Sequence, residues 1–233
     1  MPLSVAPMQE SDIAAFAALD AAAMANWGVA KAMQNSMPAG VSRQAMIEKW
    51  TRDGWAKDSE LVWLKLVDSA LDGEMVAAAM WGFHLKEEEE KQVENEVPAP
   101  APVAEVGGEN AVEEMSGEKK VEKPNVVAAM REIGTPFEEK YVGETPHAGL
   151  HILVTHPAHQ RRGAGSMLVK WGCEKTDERG LMSILMASEA GLPIYLKHGF
   201  ELVQETPMDL RPFGVDETDI RRGMVRPRQA QKA

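Results

Sequence analysis

The chain has 233 residues, 44% hydrophobic and 26% charged, with 36 acidic against 25 basic side chains and a net charge of −11. It holds no run of about 18 apolar residues, which argues against a helical membrane span, and no basic footprint of a nucleic-acid binder. The single cysteine, Cys173, rules out an intrachain disulfide and points to a reducing compartment, the cytosol or the nucleus. Met1–Pro7 has neither the pattern of a secretory signal nor the arginines of a mitochondrial presequence.

In chain order, Leu3 to Met8 reads as a short strand. Ser11 is placed to cap a helix in which Ile13, Phe16, Leu19 and Ala23 share a face. Met46, Ile47 and Trp50 mark a second helix. Leu61–Val67 and Met75–Phe83 read as strands joined at the turn signal Asp72-Gly73.

Composition changes at Lys86. Residues 86–147 carry 16 acidic and 7 basic side chains, leaving 20 and 18 for the rest, so the folded part is nearly neutral. The proline-alternating run at 98–102 and the Glu/Lys-rich flanks bury too little apolar surface to offset about 1–2 kcal/mol of backbone entropy per residue. The expectation is one domain over 1–233 with an acidic insertion at 86–147, disordered to about 124, with a short helix near Val126–Arg131.

Beyond it, strands and helices alternate. Leu150–Thr155 is a strand that Pro157 ends. A helix follows from about Gly165 to Asp177, with Ala164, Met167, Leu168 and Trp171 on one face. Leu181–Ala187 is a strand, Ser188 caps a short helix to His198, and strands fit Phe200–Val203 and Asp219–Val225. Hairpins first and βαβ units later predict a mixed α/β sheet with helices on its faces.

The loop from Gln160 to Ser166 joins a strand to a helix N-terminus, where N–H groups lack intrahelical partners and the macrodipole favours an anion. Gly163 and Gly165 let a phosphate approach the backbone, Arg161 and Arg162 add charge, and Ser166 adds a hydroxyl. No lysine follows Gly165, which excludes a P-loop, and the third glycine of a dinucleotide fingerprint is missing. By itself the loop is either an anion site or a plain helix cap.

The wider window Val154-Thr155-His156-Pro157-Ala158-His159-Gln160-Arg161-Arg162-Gly163-Ala164-Gly165 resembles the V-x-P-x-x-Q/R-x-x-G-x-G/A signature of the GNAT superfamily. Ile194-Tyr195-Leu196-Lys197-His198-Gly199-Phe200 resembles its L-Y-x-x-x-G-F signature. The likeness covers about 148–206 and looks nearest to a fungal branch. It implies a mixed, mostly antiparallel sheet of six to seven strands whose central parallel pair splays to receive acetyl-CoA. Backbone of Leu153, Val154 and Thr155 would then hold the pantetheine arm, and Gln160, Arg161, Arg162, Gly163, Ala164, Gly165 and Ser166 the pyrophosphate.

The resemblance also implies a reaction: a neutral amine attacks the thioester directly, an oxyanion forms and CoA thiolate leaves. Tyr195 matches the tyrosine of the motif and is the candidate acid. No carboxylate lies on Leu150–Thr155, so His151 is the candidate base, with Ser188 and Glu189 as further candidates for holding a water or the amine. Trp27, Trp63 and Trp81 are either core or acceptor-pocket lining. The six histidines and one cysteine form no metal-ligand pattern. The expected acceptor is a small-molecule amine. The alternatives are protein lysine or N-terminal acetylation, and a catalytically silent acyl-CoA-binding module. No nucleic-acid or membrane partner is expected.

Overall fold

Alternation along β2 (Leu61–Asp68) sets the architecture. Leu64 and Leu66 enter one hydrophobic cluster while Trp63 faces another, on the opposite side of the sheet. The computed structural model describes residues 3–38, 40–55, 60–85 and 125–229. The span expected to be disordered, 86–124, lies outside the described residues.

The remaining elements are β1 (Leu3–Pro7), α1 (Ile13–Met24), α2 (Gly28–Asn35), α3 (Arg43–Gly54), β3 (Glu74–His84), α4 (Val126–Tyr141), β4 (His147–Thr155), α5 (Ala164–Glu178), β5 (Met182–Ala187), α6 (Leu192–Lys197), β6 (Glu201–Asp209) and β7 (Thr218–Arg226). They form a seven-stranded sheet in the order β1-β2-β3-β4-β5-β7-β6. Its pairs are antiparallel except β4 with β5, which run parallel. This is the expected mixed, mostly antiparallel sheet. Among the described residues no single helix is long and apolar enough to cross a membrane.

Helices cover both faces. Phe16 and Leu19 of α1 pack with Ala78 and Val154 on one side, and α4 sets Phe137 against Ile184 and Val225. On the other side α5 and α6 bury Leu168, Val169, Cys173 and Tyr195 against Trp81, Leu150 and Leu185. Each such large side chain contributes about 1.5–3 kcal/mol by leaving water. Gly172 lets α5 approach the sheet closely, since a Cβ there would lie 2.0 Å from the Trp81 ring.

Three local expectations change. Ser11 is not the cap of α1: a 3₁₀ turn, Glu10–Asp12, precedes the helix, and Gln9 and Asp12 make the reciprocal capping contacts instead. The helix α2 was not anticipated; it buries Val29 and Ala32 with Met208 and Leu210. The helix near 126–131 continues for 16 residues through Gly134 and Pro136 to Tyr141, so α4 lies within the span expected to be insertion. Burial of Val126 and Phe137 along its length offsets the hydrogen bond that Pro136 removes.

Candidate active site

Two irregularities in β4 open the sheet. First, β4 pairs with β5 only from His147↔Met182 to Leu150↔Leu185. Beyond that, residues 152–155 pair with β3 alone, while Met186 and Ala187 pair with β7. The two central strands therefore part, and the β5-facing edge of Leu153, Val154 and Thr155 has no strand beside it among the described residues. Second, the β3–β4 register passes from Met80↔Ile152 to Trp81↔Leu150, which leaves His151 as a bulge.

The loop after β4 closes the opening. Pro157–His159 is a 3₁₀ turn, and the Gln160 side-chain amide donates to the Thr155 carbonyl at 3.4 Å. Arg161 then adopts φ 62° and Gly163 φ 87°, and α5 begins at Ala164. Left-handed geometry at two positions separated by a single residue is the kind of turn from which anion-binding concavities are built. For Arg161, which has a Cβ, that conformation is strained. A Cβ at Gly163 would meet nothing within 4 Å, so the loop's surface is open.

The two arginines differ. Arg161 is exposed, whereas Arg162 donates to the carboxylate of Asp68 at the end of β2 and approaches His159 Nδ1 at 3.1 Å. That Asp68 side chain is 1% exposed, and the guanidinium holds its pKa below the usual carboxylate range. The Arg162 side chain thus pins the loop to the sheet. Behind the loop, Ser166 Oγ lies 2.8 Å from His198 Nε2, and burial keeps the His198 pKa below its ordinary value. The His198 carbonyl accepts from Arg226, whose guanidinium is paired with Asp177.

Tyr195 enters the same region from α6. Its ring is buried edge-on to Phe200 and folds over Gly191, where a Cβ would lie 2.7 Å from Cε2. Burial raises its phenol well above the ordinary range, so it stays protonated at neutral pH. The Ser188 hydroxyl accepts from the Gly191 N–H at 3.3 Å, and Glu189 is exposed. Ser188 therefore shapes the turn into α6 rather than capping the helix directly, whose N-cap is Gly191.

His151 is on the opposite face from α5. Its imidazole lies over two glycines paired across β3 and β4, Gly82 and Gly149; a Cβ on either would come within 2.7 or 3.0 Å of the ring. His84 flanks it, with ring centroids 6.1 Å apart, and His84 Nδ1 lies 2.7 Å from Glu60 Oε2. His147 completes the group, 4.8 Å from His84. Sequence reading singled out neither Glu60 nor His84, and it missed the roles of Asp68 and His198. The glycine inside each of two strands was the available signal, because an interior strand glycine often marks a close approach.

Trp81 is core. Trp63 is packed among Phe16, Trp50 and Trp55. Trp27 donates its indole N–H to Asp219 at 3.3 Å and carries Arg221 on its ring. Burial pushes the Cys173 thiol up to about 11, which leaves it protonated and poorly nucleophilic.

The sheet is thus split at its parallel pair, with a strained turn at the end of one of the two parting strands. Residues 124–202, about a third of the chain, match the family model of the acetyltransferase (GNAT) domain. A curated acetyltransferase from Stachybotrys chartarum is 35% identical over 53 residues, a match covering 23% of this chain and 23% of that one. Among solved structures, arylalkylamine N-acetyltransferase 2 from Aedes aegypti superposes with a TM-score of 0.60 at 13% identity, over 97% of this chain and 99% of that one. The histone acetyltransferase HPA2 and related acetyltransferase from Corynebacterium glutamicum gives 0.58 at 16% identity, covering both chains fully. At such identities the likeness to the solved structures establishes a shared fold.

Proposed function

We propose that the protein transfers the acetyl group of acetyl-CoA directly to a primary amine of a small molecule. The observation that carries this is the conjunction of the β4–β5 split with the left-handed Arg161–Gly163 turn at the start of α5. In this reading the free edge of Leu153–Thr155 holds the pantetheine arm as an added strand would. The backbone from Gln160 to Ser166 holds the pyrophosphate, with Arg161 as the exposed cation and Arg162 as the anchor of the loop.

Tyr195, kept protonated by burial, gives a proton to the departing thiolate. His151, on the face opposite α5, takes one from the amine. Ser188 and Glu189, at the end of β5, are the polar groups nearest in sequence to the opening and would orient the amine or a water. Bound side by side, the two substrates gain much of their rate from proximity alone.

The support for a small acceptor is the cover over that face. Trp27, at the start of α2, is tied to Asp219 and Arg221 of β7, and α2 packs with α4. These contacts set α2 and α4 against the β6–β7 end of the sheet.

Calorimetry with acetyl-CoA, followed by a thiol-release screen over small amines and over lysine and N-terminal peptides, tests each part. Binding with release only for small amines is the expected result. Release only for peptides would move the acceptor to proteins, binding without release would mark a silent acyl-CoA module, and absence of binding would remove the reading altogether.

A further inference from the structure

The geometry points to Glu60, His84 and His151 as one proton path: His84, backed by the Glu60 carboxylate, relays to water the proton that His151 takes from the acceptor amine. This rests on the acetyl-transfer reading above and deepens it, adding two residues from β3 and from the approach to β2.

The arrangement begins with the glycines. Gly82 and Gly149 face each other in the β3–β4 ladder, and an interior strand glycine forgoes side-chain packing. What the pair gains is room for an imidazole. The His151 Nε2 atom lies 2.7 Å, and the His84 Nε2 atom 3.1 Å, from the point where a Gly82 Cβ would sit. The two nitrogens therefore converge over one backbone position and stand no more than about 6 Å apart, a span that a single bridging water covers.

The far side of His84 is fixed as well. With Nδ1 2.7 Å from Glu60 Oε2, the neutral ring donates from Nδ1 and leaves the Nε2 lone pair free to accept from that water. Once protonated, the imidazolium faces a carboxylate. The other groups around it are His147 and His151. His147 has Nδ1 2.8 Å from the Thr145 carbonyl, and burial holds its pKa down, so it stays neutral and does not oppose a charge on His84. Glu138 of α4 acts on His147 in the opposite sense. His84 and His147 also line a recess of about 110 Å³, with Leu85 and residues 143–146, which is roomy enough to hold water.

The proton balance closes. An ammonium acceptor loses one proton through His151, the bridging water and His84 to bulk water before attack. Its nitrogen lone pair then forms the bond to the acetyl carbon. The second proton, shed by the tetrahedral intermediate, replaces the one Tyr195 gives to the thiolate as the carbon–sulfur bond breaks.

Two readouts on the full chain test this. In NMR titrations of the histidine ring protons, without substrate, Glu60→Gln and His84→Gln are each expected to move the His151 midpoint by about half a pH unit or more, as coupled sites do. An unmoved His151 midpoint in both variants overturns the path.

In thiol-release assays, His84→Gly is expected to lower kcat about 10- to 100-fold, leave the KM for acetyl-CoA unchanged and shift the acid limb of the pH profile, with added imidazole restoring turnover. Gly82→Ala keeps every titrating group yet pushes the His151 ring aside, and a similar loss in kcat is expected. Full kcat in both variants overturns the path while leaving acetyl transfer standing. A wild-type chain that binds acetyl-CoA, shows the coupling and acetylates no amine overturns the acetyl-transfer reading and the path's catalytic role together.

Discussion

Ser166 Oγ and His198 Nε2 stand 2.8 Å apart although 32 residues separate them in sequence. One belongs to the first turn of α5 and the other to the residue just after α6, so the contact locks the two signature segments into one body. Replacing Ser166 with alanine is expected to weaken acetyl-CoA binding by about 1 kcal/mol, the worth of one hydrogen bond, as read by calorimetry. An unchanged Kd would show that the cradle holds its shape without the contact.

The same histidine makes folding sensitive to acid. Burial depresses the pKa of His198, and of His147, below the ordinary 6.5. As pH falls, the unfolded chain therefore takes up protons before the folded one. Stability is fully present above about pH 6.5 and erodes as the pH drops through it. The melting temperature is expected to fall between pH 7.5 and 5.5 by more than in His198→Gln; equal slopes in the two proteins would assign the loss elsewhere.

Tyr195→Phe retains the buried ring that packs on Phe200 and removes only the hydroxyl. The expected result is a fall in kcat of about 100-fold, at the low end of general acid–base effects, with the KM for acetyl-CoA and the melting temperature nearly unchanged. Because burial raises its pKa, wild-type activity should show no alkaline decline from this tyrosine up to about pH 10. Full turnover by Tyr195→Phe would remove it from the chemistry.

Asp68 acts on the cradle from a distance. Asp68→Asn keeps an oxygen for the Ala70 N–H but removes the charge that holds Arg162. The loop is then less preorganised, and the acetyl-CoA Kd is expected to rise about 3- to 10-fold. A Kd unaffected by Asp68→Asn but raised by Arg162→Ala would mean that Arg162 leaves the carboxylate to meet the ligand.

Gly172→Ala tests the packing beneath the site. The added methyl would overlap the Trp81 ring, which is fully buried with neighbours on every side. A loss of at least about 1–3 kcal/mol in denaturant unfolding is expected. Wild-type stability would show that the ring has somewhere to go.

What could be read from sequence followed local pattern. The apolar runs of β2 and β3, the one-sided face of α5 and the glycine loop each declare themselves within about a dozen residues. Helix α2 did not, because it is only eight residues long with a glycine at the first position, and its burial depends on Met208 and Leu210 far along the chain. Gly134 and Pro136 spoke for an early end to α4, and only the seat of Phe137 against Gly223 of β7 explains why the helix goes on. For the candidate site, local motifs nominated the loop and Tyr195. The partners that orient them were not nominated, since Arg162 meets Asp68 across 94 residues and His84 meets Glu60 across 24.

The bulge at His151 divides β4 into two stretches of opposite phase. Leu150 and Leu153, three apart, look to the α5 side, while Ile152 and Val154 look to the α1 side. Deleting one residue here would restore simple alternation and rotate half the strand. Leu153 and Thr155 would exchange sides with Ile152 and Val154, sending core leucine toward α1 and misaligning the loop that follows. Of all places in the chain, this strand should therefore tolerate substitution far better than a change in length.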